Sequence, residues 1–153
     1  MAREIALRKL TQRAHSRAEL AQAMQARHVP QEAIDEVLDR FTEVNLVDDA
    51  AFAAEWARSR HEYKRSSKRV ITEELRHKGI DQELIVEAVS GIDRDSELAA
   101  AREIAAKKAR SLSGLDPAVA QRRLAGALAR RGYGPSVVQQ VVREATTGSD
   151  EHW

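Results

Sequence analysis

The chain contains no cysteine, so disulfide bonds, thiol nucleophiles and thiolate metal ligands are all excluded. Aromatic residues make up only 4% of its 153 positions and proline occurs three times. With so few large rings, the core has to be assembled from alanine and aliphatic side chains, and it is expected to be thin and distributed. No apolar run approaches the length that spans a bilayer. The N-terminal MAREIALRKL mixes charged and apolar residues instead of presenting the apolar block of a signal peptide. A soluble, cytoplasmic chain without a membrane segment is expected. The histidines, His15, His28, His61, His77 and His152, show no metal-ligand spacing, and no glycine-rich phosphate loop or catalytic serine or acidic pair is visible. The expectation is a non-enzyme with no metal and no cofactor.

What the chain does contain is a repeat. SRAELAQAMQARHVPQEAIDEVL from Ser16 recurs as SKRVITEELRHKGIDQELIVEAV from Ser67 and as AQRRLAGALARRGYGPSVVQQVV from Ala120. Leu20, Met24, Val29, Ile34 and Leu38 correspond to Ile71, Leu75, Ile80, Ile85 and Val89, and then to Leu124, Leu128, Tyr133, Val138 and Val142. Four-residue spacings on either side of a corner describe two short amphipathic helices joined by a tight turn. Gly79 and Gly132 fall where a positive φ reverses the chain, whereas the first copy has His28 there, which predicts a different or strained corner. Asp81 is placed to cap the next helix, and Gly134 and Pro135 fit an N-cap followed by proline at the first helical position.

One more helical stretch precedes each pair, so the unit has three helices. The first stretch carries Leu7 and Leu10 and leads into a Ser16 to Glu19 capping box. The second follows Asp48 and Asp49 and carries Phe52 and Trp56 on one apolar stripe, which assigns both to the core. The third starts near Asp93 and is broken at Ser113 and Gly114 before Asp116 and Pro117 begin another helix. The expected fold is all-α, with tandem three-helix repeats over 1–47, 48–92 and 93–145 forming an elongated, curved array, and a disordered tail over 146–153.

The sequence resembles the RecX family of RecA regulators. The resemblance rests on SRAEL with EAIDEVLDRF, on NLVDDAAFAAEWARSR, on KRVITEELRHKGIDQELIVEAV and on LARRGYGPSVVQQVV, and it runs from about Arg3 to Glu144. The block Leu46 to Arg60 is the most specific part. The resemblance implies a protein that binds RecA and RecA nucleoprotein filaments and suppresses strand exchange, ATP hydrolysis and co-protease activity. Its setting would be homologous recombination, DNA repair and the SOS response, and it implies no catalytic residue. This chain departs from the family at His28 and in KRSSKRV before Arg69, where glycine is usual among relatives.

A formal net charge of +1 conceals an uneven distribution. RSRHEYKRSSKR, from Arg58 to Arg69, has six basic residues against one glutamate, while the first fifty residues have seven basic against nine acidic. The candidate partner- or DNA-binding residues are therefore Arg58, Arg60, Lys64, Arg65, Lys68, Arg69, Arg122, Arg123, Arg130 and Arg131. Lys107, Lys108 and Arg110 are assigned to a solvated helix face, and Tyr63 is expected to be exposed and able to stack on a base. Sequence-specific helix-turn-helix binding is disfavoured, because PQEAIDEVLDRF and DQELIVEAV are too acidic to enter a major groove. The functional expectation is a monomeric RecA-filament inhibitor with possible direct contact to single- or double-stranded DNA. The alternatives are a DNA-binding repeat protein acting without RecA and a purely structural helical adaptor.

Overall fold

A computed structural model describes residues 1–150, with side chains described through Thr146. Among the described residues there are nine helices and no strand: α1 (Ala2–Gln12), α2 (Arg17–Ala26), α3 (Gln31–Glu43), α4 (Asp49–Lys64), α5 (Lys68–His77), α6 (Gln82–Ala88), α7 (Arg94–Leu112), α8 (Pro117–Arg130) and α9 (Pro135–Asp150). The fold is an all-α array of three-helix repeats, as the periodicity requires. The polypeptide divides into two compact units: Met1–Ala57 with Thr72–Val89, and Arg58–Ile71 with Ser90–Trp153. α4 and α5 therefore contribute residues to both.

Within the first unit, Ile5, Ala6, Leu20, Met24, Ile34, Leu38, Phe41 and Val47 form one buried cluster. The start of α2 is fixed by three satisfied amides. Ser16 Oγ accepts from Glu19 N at 3.1 Å, the Glu19 carboxylate accepts from Ser16 N at 3.0 Å, and Asp49 accepts from Arg17 N at 2.9 Å. Asp49 thus serves α2 from another repeat, while Asp48 accepts from Ala51 N at the head of α4. Asp81 occupies the N-cap of α6 but its side chain makes no capping bond.

Trp56 corrects the sequence reading, being only half-buried. Its indole N–H donates to Glu74 at 3.2 Å, its ring stacks on Phe52 with centroids 6.0 Å apart, and Lys78 Nζ lies 4.3 Å above it. Lys78 also pairs with Glu19 at 3.2 Å, with both side chains below one-fifth exposed. The stripe is therefore the border between the core and a charged network, as suits an indole with one polar edge.

In the second unit, Leu98, Ala101, Ile104, Leu124, Leu128, Tyr133, Val137 and Val141 form the buried cluster. Here the sequence register was one residue out: Val137 and Val141 are buried, and Val138 and Val142 pack half-buried against them. Two adjacent valine pairs make both phases apolar, so periodicity could not choose between them. α9 continues through Thr146, whose hydroxyl donates to the Val142 carbonyl and accepts from Gln121. Residues 151–153 of the expected tail lie outside the described residues.

The three corners close alike. Val29 N donates to Met24 O at 3.1 Å, Ile80 N to Leu75 O at 3.1 Å and Tyr133 N to Leu128 O at 3.2 Å. Each bond spans a residue of positive φ: His28 at 62°, Gly79 at 76° and Gly132 at 93°. The histidine corner therefore follows the same path as the others, carrying the strain of a side chain in the left-handed region.

The reason glycine is dispensable at 28 lies in what touches the other two corners. Ser16, fully buried, donates its hydroxyl to the Lys78 carbonyl at 2.8 Å, and a Cβ on Gly79 would lie 2.4 Å from Ala18 Cβ. Ser67, also fully buried, donates its backbone N–H to the Arg131 carbonyl at 3.4 Å, and a Cβ on Gly132 would lie 2.4 Å from Ser67 Oγ. The serine that starts the second helix of one repeat thus seats on the corner of the next. Among the described residues, no serine makes the corresponding hydrogen bond to the His28 corner.

Candidate interface

The basic stretch 58–69 is the end of α4, a three-residue corner and the start of α5. α4 stops because Arg65 adopts φ 53°, which lets Ser66 N reach back to Arg60 O at 3.2 Å. Ser67 then opens α5, its hydroxyl accepting from Val70 N at 3.2 Å. An arginine in this conformation costs roughly 1–2 kcal/mol more than a glycine.

This corner joins the two basic stretches that the sequence separates. Arg131 Nη1 donates to the Lys64 carbonyl, and the Tyr133 hydroxyl donates to the Arg65 carbonyl at 2.6 Å. Burial first, then the Glu97 charge, pushes the Tyr133 phenol up to about 12. Sequence reasoning assigned Tyr133 to a core position and did not foresee that its hydroxyl would tie the corner.

All ten candidate residues lie in the second unit, though they do not form one uniform patch. Arg58 pairs with Glu62 at 2.9 Å, Arg65 pairs with Glu103, and Arg60 is half-buried. Lys68 is exposed, and its charge acts on the half-buried Glu97, whose carboxyl is raised by burial against the opposing pull of His61, Lys68 and Arg94. Lys64, Arg69, Arg122, Arg123 and Arg130 are exposed and form no ion pair among the described residues. Tyr63, 74% exposed, stands beside Lys64 in sequence.

Arg122, Arg123 and Arg130 line a hollow of about 670 Å³ together with Lys108 from α7. Lys108 is solvated, as its helix face implied, yet it joins this cluster, which the sequence missed because α7 and α8 meet only in the folded chain. Counted over sequence, the second unit holds sixteen basic and nine acidic residues, net +7, and the first holds nine and fifteen, net −6. This charge balance makes the second unit the more attractive of the two to polyanions. No group of three or more histidine or acidic side chains among the described residues is arranged to hold a metal. Among the described residues no helix is long and apolar enough to cross a membrane.

Nine helices in successive three-helix units, among the described residues, define an all-α helical-repeat protein. Family models match over nearly the whole chain: the first three-helix domain of RecX over residues 2–41, the second over 48–89 and the third over 95–142. The chain therefore belongs to the RecX family of regulatory proteins. It is 46% identical over 144 residues to Regulatory protein RecX of Streptomyces coelicolor, covering 94% of this chain and 77% of that one. Regulatory protein RecX of Thermobifida fusca is 42% identical over 143 residues, with the same coverage. In fold, the chain is similar to the crystal structure of RecX from Lactobacillus salivarius, with a TM-score of 0.85 at 18% identity and 95% of each chain covered. A second crystal structure of a regulatory protein RecX gives 0.80 at 21% identity, covering 92% of this chain and 69% of that one.

Proposed function

We propose that this chain binds RecA and RecA–DNA filaments in the cytoplasm, as a monomer, and inhibits their recombinase, ATPase and co-protease activities without catalysing a reaction itself. The reading is supported by family membership across all three repeats and by the concentration of positive charge in the second unit. A nucleoprotein filament is a dense polyanion, so the unit of net +7 is attracted to it and the unit of net −6 is not. Occupying the filament groove would bridge neighbouring RecA protomers and obstruct a second DNA strand or a co-protease substrate. Lys64, Lys68, Arg69, Arg122, Arg123 and Arg130 are the side chains assigned to contact, with Arg58, Arg60, Arg65 and Arg131 shaping the surface that presents them.

The test is RecA's DNA-dependent ATP hydrolysis with this protein present well below one copy per RecA, with binding to bare DNA followed in parallel. Inhibition beyond what bare-DNA affinity explains supports the reading. Tight, salt-sensitive DNA binding without inhibition would instead favour a DNA-binding repeat protein acting without RecA, which is the second reading that the basic hollow supports.

A further inference from the structure

The hollow between α7 and α8 has features that the repeat does not require. Its cations are Lys108, Arg122, Arg123 and Arg130, with the Ser111 hydroxyl beside them and no acidic side chain on its walls. At the positions of Arg122, Arg123 and Arg130, the first copy has Ala18, Glu19 and Ala26, and the second has Arg69, Val70 and His77. Packing of the repeat therefore tolerates alanine, glutamate, valine or histidine there, and the triple cation is particular to the third copy.

The same helix holds Gly126 in its interior, where glycine is the least favourable residue after proline. Its counterparts are Gln22 and Glu73. A Cβ at 126 would lie 3.2 Å from Arg130 Nη1, so the Arg130 guanidinium lies back over the helix against this glycine, and a side chain there would press on it and shift it. Arg122, Gly126 and Arg130 follow at four-residue steps on one face, which sets two guanidinium groups along a line with a gap between them.

We propose that this hollow is a phosphate subsite taking the phosphodiester backbone of a single nucleic-acid strand. Arg122, Arg123 and Arg130 supply N–H donors to the phosphate oxygens, Lys108 closes the opposite wall, and Gly126 keeps the floor open. Guanidinium groups suit this ligand because their planar donors match paired phosphate oxygens. The walls offer no aromatic ring for a base, so recognition is of backbone and is independent of sequence. The proposal deepens the reading of the second unit as the face turned toward DNA, and it rests on that reading for its biological setting only.

The experiment uses the full chain and a labelled oligothymidylate of about twenty nucleotides, long enough to cover one such site, with affinity read by fluorescence anisotropy from low to moderate salt. Gly126→Gln places in the third copy the residue that the first copy carries. It should leave thermal stability unchanged or raised, because glutamine is the better helix former, and yet weaken strand binding roughly tenfold by filling the floor and displacing Arg130. The double variant Arg122→Ala, Arg123→Ala should lower the slope of log affinity against log salt by about 1.4, as two lost single-strand contacts require. Arg8→Ala, an exposed cation of the first unit, should leave binding unchanged. Parental affinity and salt slope in both hollow variants would overturn the proposal. Displacement of the strand by inorganic tripolyphosphate at a lower phosphate concentration than by unlabelled strand would overturn it too, assigning the hollow to a free polyphosphate. RecA ATP hydrolysis on the same proteins keeps the two readings apart. Failure of the parent chain to inhibit bears on the regulator reading alone, and loss of strand binding in the variants bears on the hollow alone.

Discussion

The Ser67 hydroxyl occupies the place where a side chain at Gly132 would begin: a Cβ there would fall 2.4 Å from Ser67 Oγ and 2.3 Å from Val70 Cγ2. The equivalent relationship holds between Ala18 and Gly79. Both glycines thus answer two demands at once, a positive φ and a close approach by the preceding repeat.

Substitution at these corners should therefore be unequal. Gly79→Ala and Gly132→Ala combine left-handed strain with overpacking and should each cost roughly 2–4 kcal/mol. His28→Gly relieves strain at an exposed corner and should be neutral or stabilising by up to about 1 kcal/mol. Urea unfolding of the three variants checks the order; equal losses at 28 and 132 would refute the docking argument.

Tyr133 should make the corner sensitive to alkali. Its hydroxyl donates to the Arg65 carbonyl, a bond that the ionised phenolate cannot make, and its folded-state value of about 12 lies above the ordinary 10. The neutral form is favoured by folding, so the contribution is fully present below pH 10 and is lost as pH rises from 10 toward 12. Tyr133→Phe should lose about 1 kcal/mol at neutral pH and show a shallower decline above pH 10 than the parent chain, measured as urea stability at stepped pH.

The network around Glu19 should act at the acid end. Burial raises its carboxyl, but the Ser16 amide, Arg13 and Lys78 outweigh that effect and hold it below the usual 4.5. A lowered carboxylate stabilises above its unfolded value, and that stabilisation is lost as pH falls through the folded one. Glu19→Gln should therefore be less stable than the parent by about 1 kcal/mol at pH 7, with the gap closing below pH 4.5. Thermal melts of both proteins from pH 7 downward would show it, and a constant gap would exclude the ionised carboxylate as the cause.

At the interface, charge reversal should separate contact from support. Lys64→Glu with Arg69→Glu touches exposed side chains without ion pairs among the described residues. It should leave stability within about 0.5 kcal/mol while raising the amount needed to inhibit RecA ATP hydrolysis by roughly tenfold. Arg65→Glu opposes Glu103 and should lower stability as well. Unchanged inhibition by the first variant, with circular dichroism unaltered, would remove the 64–69 corner from the interface.

The repeat, the helix count and the cap at Ser16 were legible because they are local: a hydroxyl reaches an amide three residues away, whereas Asp81, as well placed in sequence, occupies its N-cap without making that bond. The apolar positions of the first two copies were legible for the same reason, since a four-residue period names a face. Val137 and Val138 were not distinguishable, because adjacent valines leave the helix free to turn either one inward. The stripe of Trp56 reads as core, and it could not reveal that Glu74 of α5 and Lys78 of the following corner meet the indole.

By itself the sequence determined that this is an all-helical chain of three repeats with its positive charge gathered in particular stretches, because period, turn chemistry and charge are properties of neighbours along the chain. The tertiary structure decided what those stretches meet. It set Arg131 against the Lys64 carbonyl, tied Tyr133 to Arg65, gave Arg58 and Arg65 carboxylate partners and brought Lys108 to the arginines of α8. A basic residue at the interface and one holding the corner together read alike in sequence, and they differ only in what packing places within reach of the guanidinium.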